Sequence, residues 1–377
     1  MFMPSATEEC NWELVIKAQI ADVLLKYVAT PSDTKLLIPT TSPVVDQISS
    51  TQPDITMLKL MVASDNSAQG VGEVFDSLLE QTNMNVKDFS SRLQVIDGDL
   101  GTCTNVHSLR SQRVPDKHVE ESLINVCTIL GGSHTLWNIS QAIYSKHYGN
   151  DSDSRDSGAW RFLNGLGIPA NKMLDKKDYT AMIQNIQKIH TATLVHCIKT
   201  VMGTDKDPVP EDLPLISSQE VHNLIQETYK EFFSPMAQDA ASGRSSPKLA
   251  NLMRRLSDFA TIVEGNSAMK AGDIGRLMNV WKRWAIISQG VKKLTNYLIQ
   301  LPRMIILLNE ILPKGLRKVI SHSLLIAPSG RQKHFVAKDQ HLKNQNFWLK
   351  YFFNHSGQGT DIKRLKDVYS LNVPLLN

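Results

Sequence analysis

Residues 92–99, Arg-Leu-Gln-Val-Ile-Asp-Gly-Asp, decide the fold class: a short apolar run stops on two acids separated by a glycine. Branched side chains fit a pleated, half-buried backbone, so a strand is expected over Arg92–Ile96, ending in Asp97-Gly98-Asp99. Upstream, Ile55–Ala63, ITMLKLMVA, has the same character and stops on Ser64-Asp65-Asn66-Ser67. Between the two runs Val74, Leu78 and Leu79 recur at helical steps, which predicts a helix from Val71 to Gln81. Strand, helix, strand reads as α/β, and open α/β sheets place ligands beyond the C-terminal ends of their strands. Asp65 and Asp99 are therefore candidate site residues.

Outside this core the periodicity is almost entirely helical. Helices are expected at Trp12–Val28, Val119–Leu130, Leu136–Tyr148, Asp178–Val201, Ser217–Phe233, Lys248–Glu264 and Asp273–Leu301, with a short strand at Lys35–Pro39, linker composition over 234–247 and a break at Pro302. The fold class is accordingly α/β but predominantly helical. Four segments follow: an N-terminal helical extension (1–53), an α/β core with the acidic motifs (54–117), a helical insertion (118–247) and a basic helical C-terminal region (248–377).

A second stretch, Met269–Tyr297, MKAGDIGRLMNVWKRWAIISQGVKKLTNY, sets Asp273 between two glycines at the start of a helix with two tryptophans. Leu277, Val280, Trp284, Ile287, Val291, Leu294, Leu298 and Leu301 recur as one buried stripe, leaving Lys282, Arg283, Lys292 and Lys293 mainly off it. Composition points the same way. The chain has 377 residues and a net charge of +4, yet Lys270–Asn377 carries 18 Lys or Arg against 5 Asp or Glu, so the rest is acidic. A basic region of this kind suits a polyanion or is simply a solvated face. Phe335, Phe347, Trp348, Tyr351, Phe352 and Phe353 are interleaved with bases in the tail, a pattern that either stacks on nucleobases or packs a terminal helix.

Several classes are excluded. The four cysteines, at 10, 103, 127 and 197, show no CxxC or Cys/His spacing, and there is no GxSxG elbow, GxxxxGK[ST] loop or strand-linked GxGxxG. No signal-peptide profile and no apolar run near the ~20 residues of a membrane span is present, so no membrane partner is expected. Asp65, Asp99 and Asp273 remain as carboxylates of the type that hold hard cations such as Mg²⁺, although Asp is also a common cap and turn residue. His134 and Asn138, in GGSHTLWNIS, are four apart and share a helix face.

The ordered set Asp65-Asn66-Ser67, Asp97-Gly98-Asp99-Leu100 with Arg110 and Arg113, Gly132-Ser133-His134 with Asn138, and Gly272-Asp273-Ile274-Gly275-Arg276 with Trp281, Gln289-Gly290 and Asn296-Tyr297 resembles a domain-of-unknown-function family abundant in fungal genomes. Its members look like relatives of transposon-encoded proteins, and their acids are similar to the set of RNase H-like transposases. The resemblance implies an RNase H-like core with large all-α insertions. It implies metal-dependent cleavage or transfer of DNA phosphodiesters, with Asp65, Asp99 and Asp273 holding two Mg²⁺. His134 would orient water or phosphate, and Arg276, Lys282, Arg283, Lys292 and Lys293 would contact nucleic acid, DNA first and RNA not excluded. A nuclear location follows. Asn66 stands where the pattern usually has an acid and Leu100 where it has Gln, which favours the alternative of an inactive DNA-binding or protein-interaction module. The oligomeric state is not legible.

Overall fold

The first helix shows how local chemistry sets the elements. Ser5 accepts the N–H of Glu8 while the Glu8 carboxylate accepts the N–H of Ser5 at 2.7 Å, closing a capping box that starts the helix. The computed structural model describes residues 2–114, 118–153, 155–169, 179–208, 210–243, 247–353 and 362–376. It is predominantly helical. In chain order the helices are α1 (Ala6–Tyr27), α2 (Ala68–Thr82), α3 (Val86–Ser90), α4 (Leu100–Gln112), α5 (Gly132–His147), α6 (Ala159–Gly165), α7 (Tyr179–Met202), α8 (Ser218–Phe232), α9 (Pro235–Ser242), α10 (Pro247–Ala271), α11 (Ile274–Ile287), α12 (Tyr297–Ile306), α13 (Lys314–His322), α14 (Lys338–Phe353) and α15 (Ile362–Leu376). The strands are β1 (Thr30–Pro31), β2 (Gln94–Gly98), β3 (Val126–Leu130), β4 (Leu215–Ile216), β5 (Leu325–Ile326) and β6 (Val336–Ala337).

The chain packs as two compact units, each made of discontinuous segments. The first comprises Met1–Asp46, Leu136–Ala268 and Gly275–Ile306. Here α1, α7, α8 and α10 enclose a core that includes Ile20, Leu24, Leu194, Ile198, Val221 and Leu256. Each such aliphatic side chain contributes about 1.5–3 kcal/mol on burial. The parallel pair β1·β4 is only two residues long, and no strand forms at Lys35–Pro39. The stripe predicted for Met269–Tyr297 is present, with Leu277, Val280, Trp284 and Leu294 buried. Trp284 donates its Nε1–H to Thr261 at 2.9 Å, and its ring lies so close to Gly265 that a Cβ there would stand 2.9 Å away.

The expected long helix over Asp273–Leu301 is interrupted earlier than the proline suggests. Turns of 3₁₀ geometry occupy Ser288–Gly290 and Lys292–Leu294, whereas Pro302 lies inside α12. A proline cannot donate to the carbonyl four residues back. That carbonyl, of Leu298, accepts the side-chain amide of Gln289 at 3.3 Å instead, which is one reason a proline is tolerated there. A five-residue π-helical turn, Leu307–Ile311, follows α12 in the chain.

The second unit comprises Gln47–Thr135, Met269–Ile274 and Leu307–Asn377. Strands β2 and β3 pair in parallel from Gln94↔Val126 to Gly98↔Leu130, joined through α4. Phe75, Phe89, Val106, Leu109 and Val126 are among the residues of a small core beside them. β3 corrects the expected helix over Val119–Leu130, where only a 3₁₀ turn precedes the strand. Short apolar runs carry no period that separates strand from helix. The expected strand at Ile55–Ala63 is absent as well. Its backbone is tethered by a side chain instead: Gln81 accepts the Lys59 N–H at 2.7 Å and donates to the Lys59 carbonyl at 3.2 Å. β5 and β6 form an antiparallel pair that runs directly into α14. Asp178, the predicted start of α7, lies outside the described residues.

Candidate functional site

Strand β2 delivers Asp97 opposite Ile129 of β3, and the N–H of Gly131 extends the ladder by donating to Gly98 at 2.8 Å. Gly132 then begins α5. The first turn of any helix leaves N–H groups without partners. Here Asp339, the second residue of α14, supplies them. Its carboxylate accepts the N–H groups of Ser133 and His134 at 3.1 and 2.9 Å and meets Nδ1 of His134 at 2.8 Å. A Cβ on Gly131 would stand 2.5 Å from an oxygen of Asp339, so the glycine is what admits the carboxylate. Burial opposes ionisation of Asp339. The His134 ring and the two N–H groups outweigh it and hold the carboxyl below its ordinary value.

Asp97 is the opposite case. Its side chain is 4% exposed, and neither oxygen accepts a hydrogen bond. Burial is the main force that pushes its carboxyl up to about 7, reinforced by the neighbouring charge of Asp339 and opposed by Lys338, whose Nζ lies 3.8 Å away. Asp97, Lys338 and Asp339 lie together on a cavity of about 580 Å³. Its other walls are largely apolar and include Ile48, Ile55, Met57, Leu325, Ile326 and Leu342.

The three acids singled out from sequence fall into two places. Asp99 is the N-cap of α4, accepting the Thr102 N–H at 2.7 Å. Asp65 accepts the Thr102 hydroxyl at 3.2 Å, and its carbonyl accepts Asn105 at 2.7 Å. These two acids are thus brought to one helix start. Asp273 is elsewhere: it is buried, bridged to Gln47 through the backbone, and stands immediately before α11. Among the described residues no three His, Cys, Asp or Glu side chains are placed to share a metal ion. The glycines of the GDIG stretch admit the protein's own groups. A Cβ on Gly272, which has φ +69°, would meet the Phe335 ring at 2.6 Å, and one on Gly275 would meet Val45 at 2.5 Å.

The basic residues need correction too. Arg276 is 5% exposed and forms a two-point ion pair with Glu264, at 2.6 and 3.0 Å. Lys282 pairs with Glu8 at 2.7 Å, while Arg283 pairs with Glu9 at 2.9 Å and covers the Trp12 ring at 4.3 Å. Part of the charge asymmetry along the chain is thereby cancelled inside the first unit. Lys292 and Lys293 are exposed. In the tail, Phe335 is buried, whereas Phe347, Trp348 and Tyr351 are exposed and pack on one another; the side chains of Phe352 and Phe353 lie outside the described ones.

The sequence pattern of a family of unknown function, DUF6589, matches residues 1–377. The chain belongs to the DUF6589 family. Comparison of this DUF6589 chain with curated proteins and with solved structures finds no match. No helix among the described residues is long and apolar enough to cross a membrane.

Asp97, Lys338 and Asp339 were not selected from the DUF6589 sequence, although signals for them exist. Asp97 directly follows Val95-Ile96 at the end of the expected strand, where open α/β sheets place ligands. Phe335-Val336-Ala337 followed by Lys338-Asp339 repeats the pattern of a short strand that ends on an acid. Asn138, grouped with His134 by spacing, donates to the hydroxyl of Tyr297 at 3.1 Å.

Proposed function

We propose that this DUF6589 protein cleaves or transfers nucleic-acid phosphodiester bonds, with a divalent cation held by Asp97 and Asp339. One observation carries the reading: both oxygens of buried Asp97 lack a hydrogen-bond donor, beside a second buried carboxylate at the C-terminal edge of a parallel strand pair. Buried acceptors are normally satisfied, and a cation satisfies them. Mg²⁺ commonly binds through one or two carboxylates, with waters and substrate phosphates completing its shell, so the pair suffices without Asp65, Asp99 or Asp273. Bound there, the cation would polarise a phosphoryl oxygen.

The chain's own groups have distinct tasks in this reading. Lys338 neutralises the phosphate beside Asp97. His134, fixed through Nδ1 by Asp339, moves a proton at the reacting oxygen. The RNase H-like core, the transposon association and the nuclear location enter as fold-level analogy from the sequence. DNA is the expected partner, met by Lys292 and Lys293 through backbone phosphates.

The test is calorimetric titration with Mn²⁺ and Mg²⁺ together with nicking of supercoiled DNA. Asp97→Asn and Asp339→Asn each abolish cation binding and nicking, whereas Asp99→Ala removes only a helix cap. Nicking that survives both Asn substitutions, or that tracks Asp65 and Asp99 instead, refutes the assignment. Cation binding with no nicking of any nucleic acid identifies the non-catalytic alternative, a binding module.

A further inference from the structure

Resting on that reading, we infer that the cavity over Asp97 takes a single unstacked nucleobase, so that the substrate is single-stranded or locally melted nucleic acid. A cation and a phosphate need a small, polar site. The cavity of about 580 Å³ is much larger than that, within the roughly 300–1,000 Å³ of small-molecule sites. Six of its lining residues, Ile48, Ile55, Met57, Leu325, Ile326 and Leu342, offer a phosphate backbone no charge and no donor, although Ser49, Thr51, Asp54, His322 and Ser323 line the same cavity. Nucleic acid presents one broad apolar surface, the face of a base, and in a paired duplex that face is already stacked. The base must therefore leave the stack to reach these walls.

The polar groups are arranged consistently with such an occupant. Asp97, Lys338 and Asp339 lie on the same cavity, where Lys338 and a cation held by the two carboxylates would meet the adjoining phosphate. Gln345 and His341, whose side chains meet at 3.4 Å, line it too and can exchange hydrogen bonds with a base edge.

The probe is a short DNA single strand carrying one 2-aminopurine, titrated in Ca²⁺ so that binding is read without turnover. Emission rises when the fluorescent base is unstacked against apolar walls. Leu342 and Ile55 line the cavity and are 56% and 42% exposed, so larger side chains there fill it without entering the core. Leu342→Trp and Ile55→Trp are each expected to abolish the emission rise and to weaken single-strand binding roughly tenfold or more, the scale of one stacked base. Binding of a fully paired hairpin is expected to be unchanged. No emission rise with the native protein, or a rise that persists in both Trp variants, overturns the inference. If the rise is present but Asp97→Asn leaves nicking intact, the base pocket stands and the catalytic assignment falls.

Discussion

Replacing Arg276 with methionine separates a structural guanidinium from a nucleic-acid contact. Its Nε and Nη2 approach Glu264 at 2.6 and 3.0 Å, and the two side chains are 5% and 2% exposed. A two-point pair of this geometry is matched in shape and shut off from solvent. Arg276→Met leaves Glu264 buried with the Ser42 hydroxyl, at 2.7 Å, as its remaining described donor. Breaking one side of a buried pair costs about 3–5 kcal/mol, because the orphaned charge stays desolvated. For a unit of this size that is a fall of roughly 6–20 °C in melting temperature, at about 2–4 °C per kcal/mol. The second substitution, Glu264→Gln, removes the orphaned charge but keeps an acceptor for Ser42. The double variant is therefore expected to recover at least about 2 kcal/mol relative to Arg276→Met, read as a coupling energy in a double-mutant cycle. Thermal and urea denaturation, followed by tryptophan fluorescence, measure it, since Trp281 and Trp284 are buried in the same unit. A loss below about 1 kcal/mol, or additive single and double variants, would refute the reasoning. So would a variant that folds normally but loses DNA binding.

Three further outcomes are expected. Lys292→Glu with Lys293→Glu reduces DNA affinity and flattens its dependence on salt, whereas Lys282→Met and Arg283→Met leave the salt slope unchanged and lower the melting temperature, as shown by filter binding over a salt series beside thermal melts. His190 is fully buried, with Nε2 at 3.0 Å from the Gln19 side chain, and burial, helped by Arg255, lowers its pKa from 6.5 to about 3. The unfolded chain takes up the proton first, so the stability contributed by neutral His190 is complete above pH 6.5 and is lost as pH falls toward 3. The slope attributable to this one group is up to about 1.4 kcal/mol per pH unit. His190→Gln should flatten the stability profile in that window, and parallel profiles would contradict the assignment. Gly131→Ala places a methyl group against the Asp339 carboxylate and should cost about 1–3 kcal/mol by overpacking, while lowering cation affinity in calorimetry. Unchanged affinity would dissociate Gly131 from the site.

Much of the helical framework was legible because its periods are long. Eight residues of one stripe between Leu277 and Leu301 fix which side of the chain turns inward, and Ser217 marks the start of α8, whereas the expected start at Trp12 misses the first turns of α1, which Ser5 and Glu8 cap. Runs of five to nine apolar residues did not carry that information. Gln94–Gly98 became a strand because Val126–Leu130 was available to pair with it, while in Ile55–Ala63 the Lys59 backbone meets the side-chain amide of Gln81. A strand is stabilised by a partner that its own residues do not specify.

The same division governs the site. Asp65 and Asp99 were visible as acids at the ends of apolar runs, and the structure gives both to the start of α4. Sequence alone placed Trp284 on a buried stripe and made the C-terminal part basic, while Asp65, Asp99 and Asp273 read as metal ligands or as caps. Only the tertiary structure decided that Lys282 and Arg283 meet Glu8 and Glu9, and that Asp339 reaches His134 across 205 positions of sequence beside an unsatisfied Asp97. Local patterns arise from neighbours a few residues apart, whereas burial, ion pairing and a convergent site depend on which distant segments share a volume.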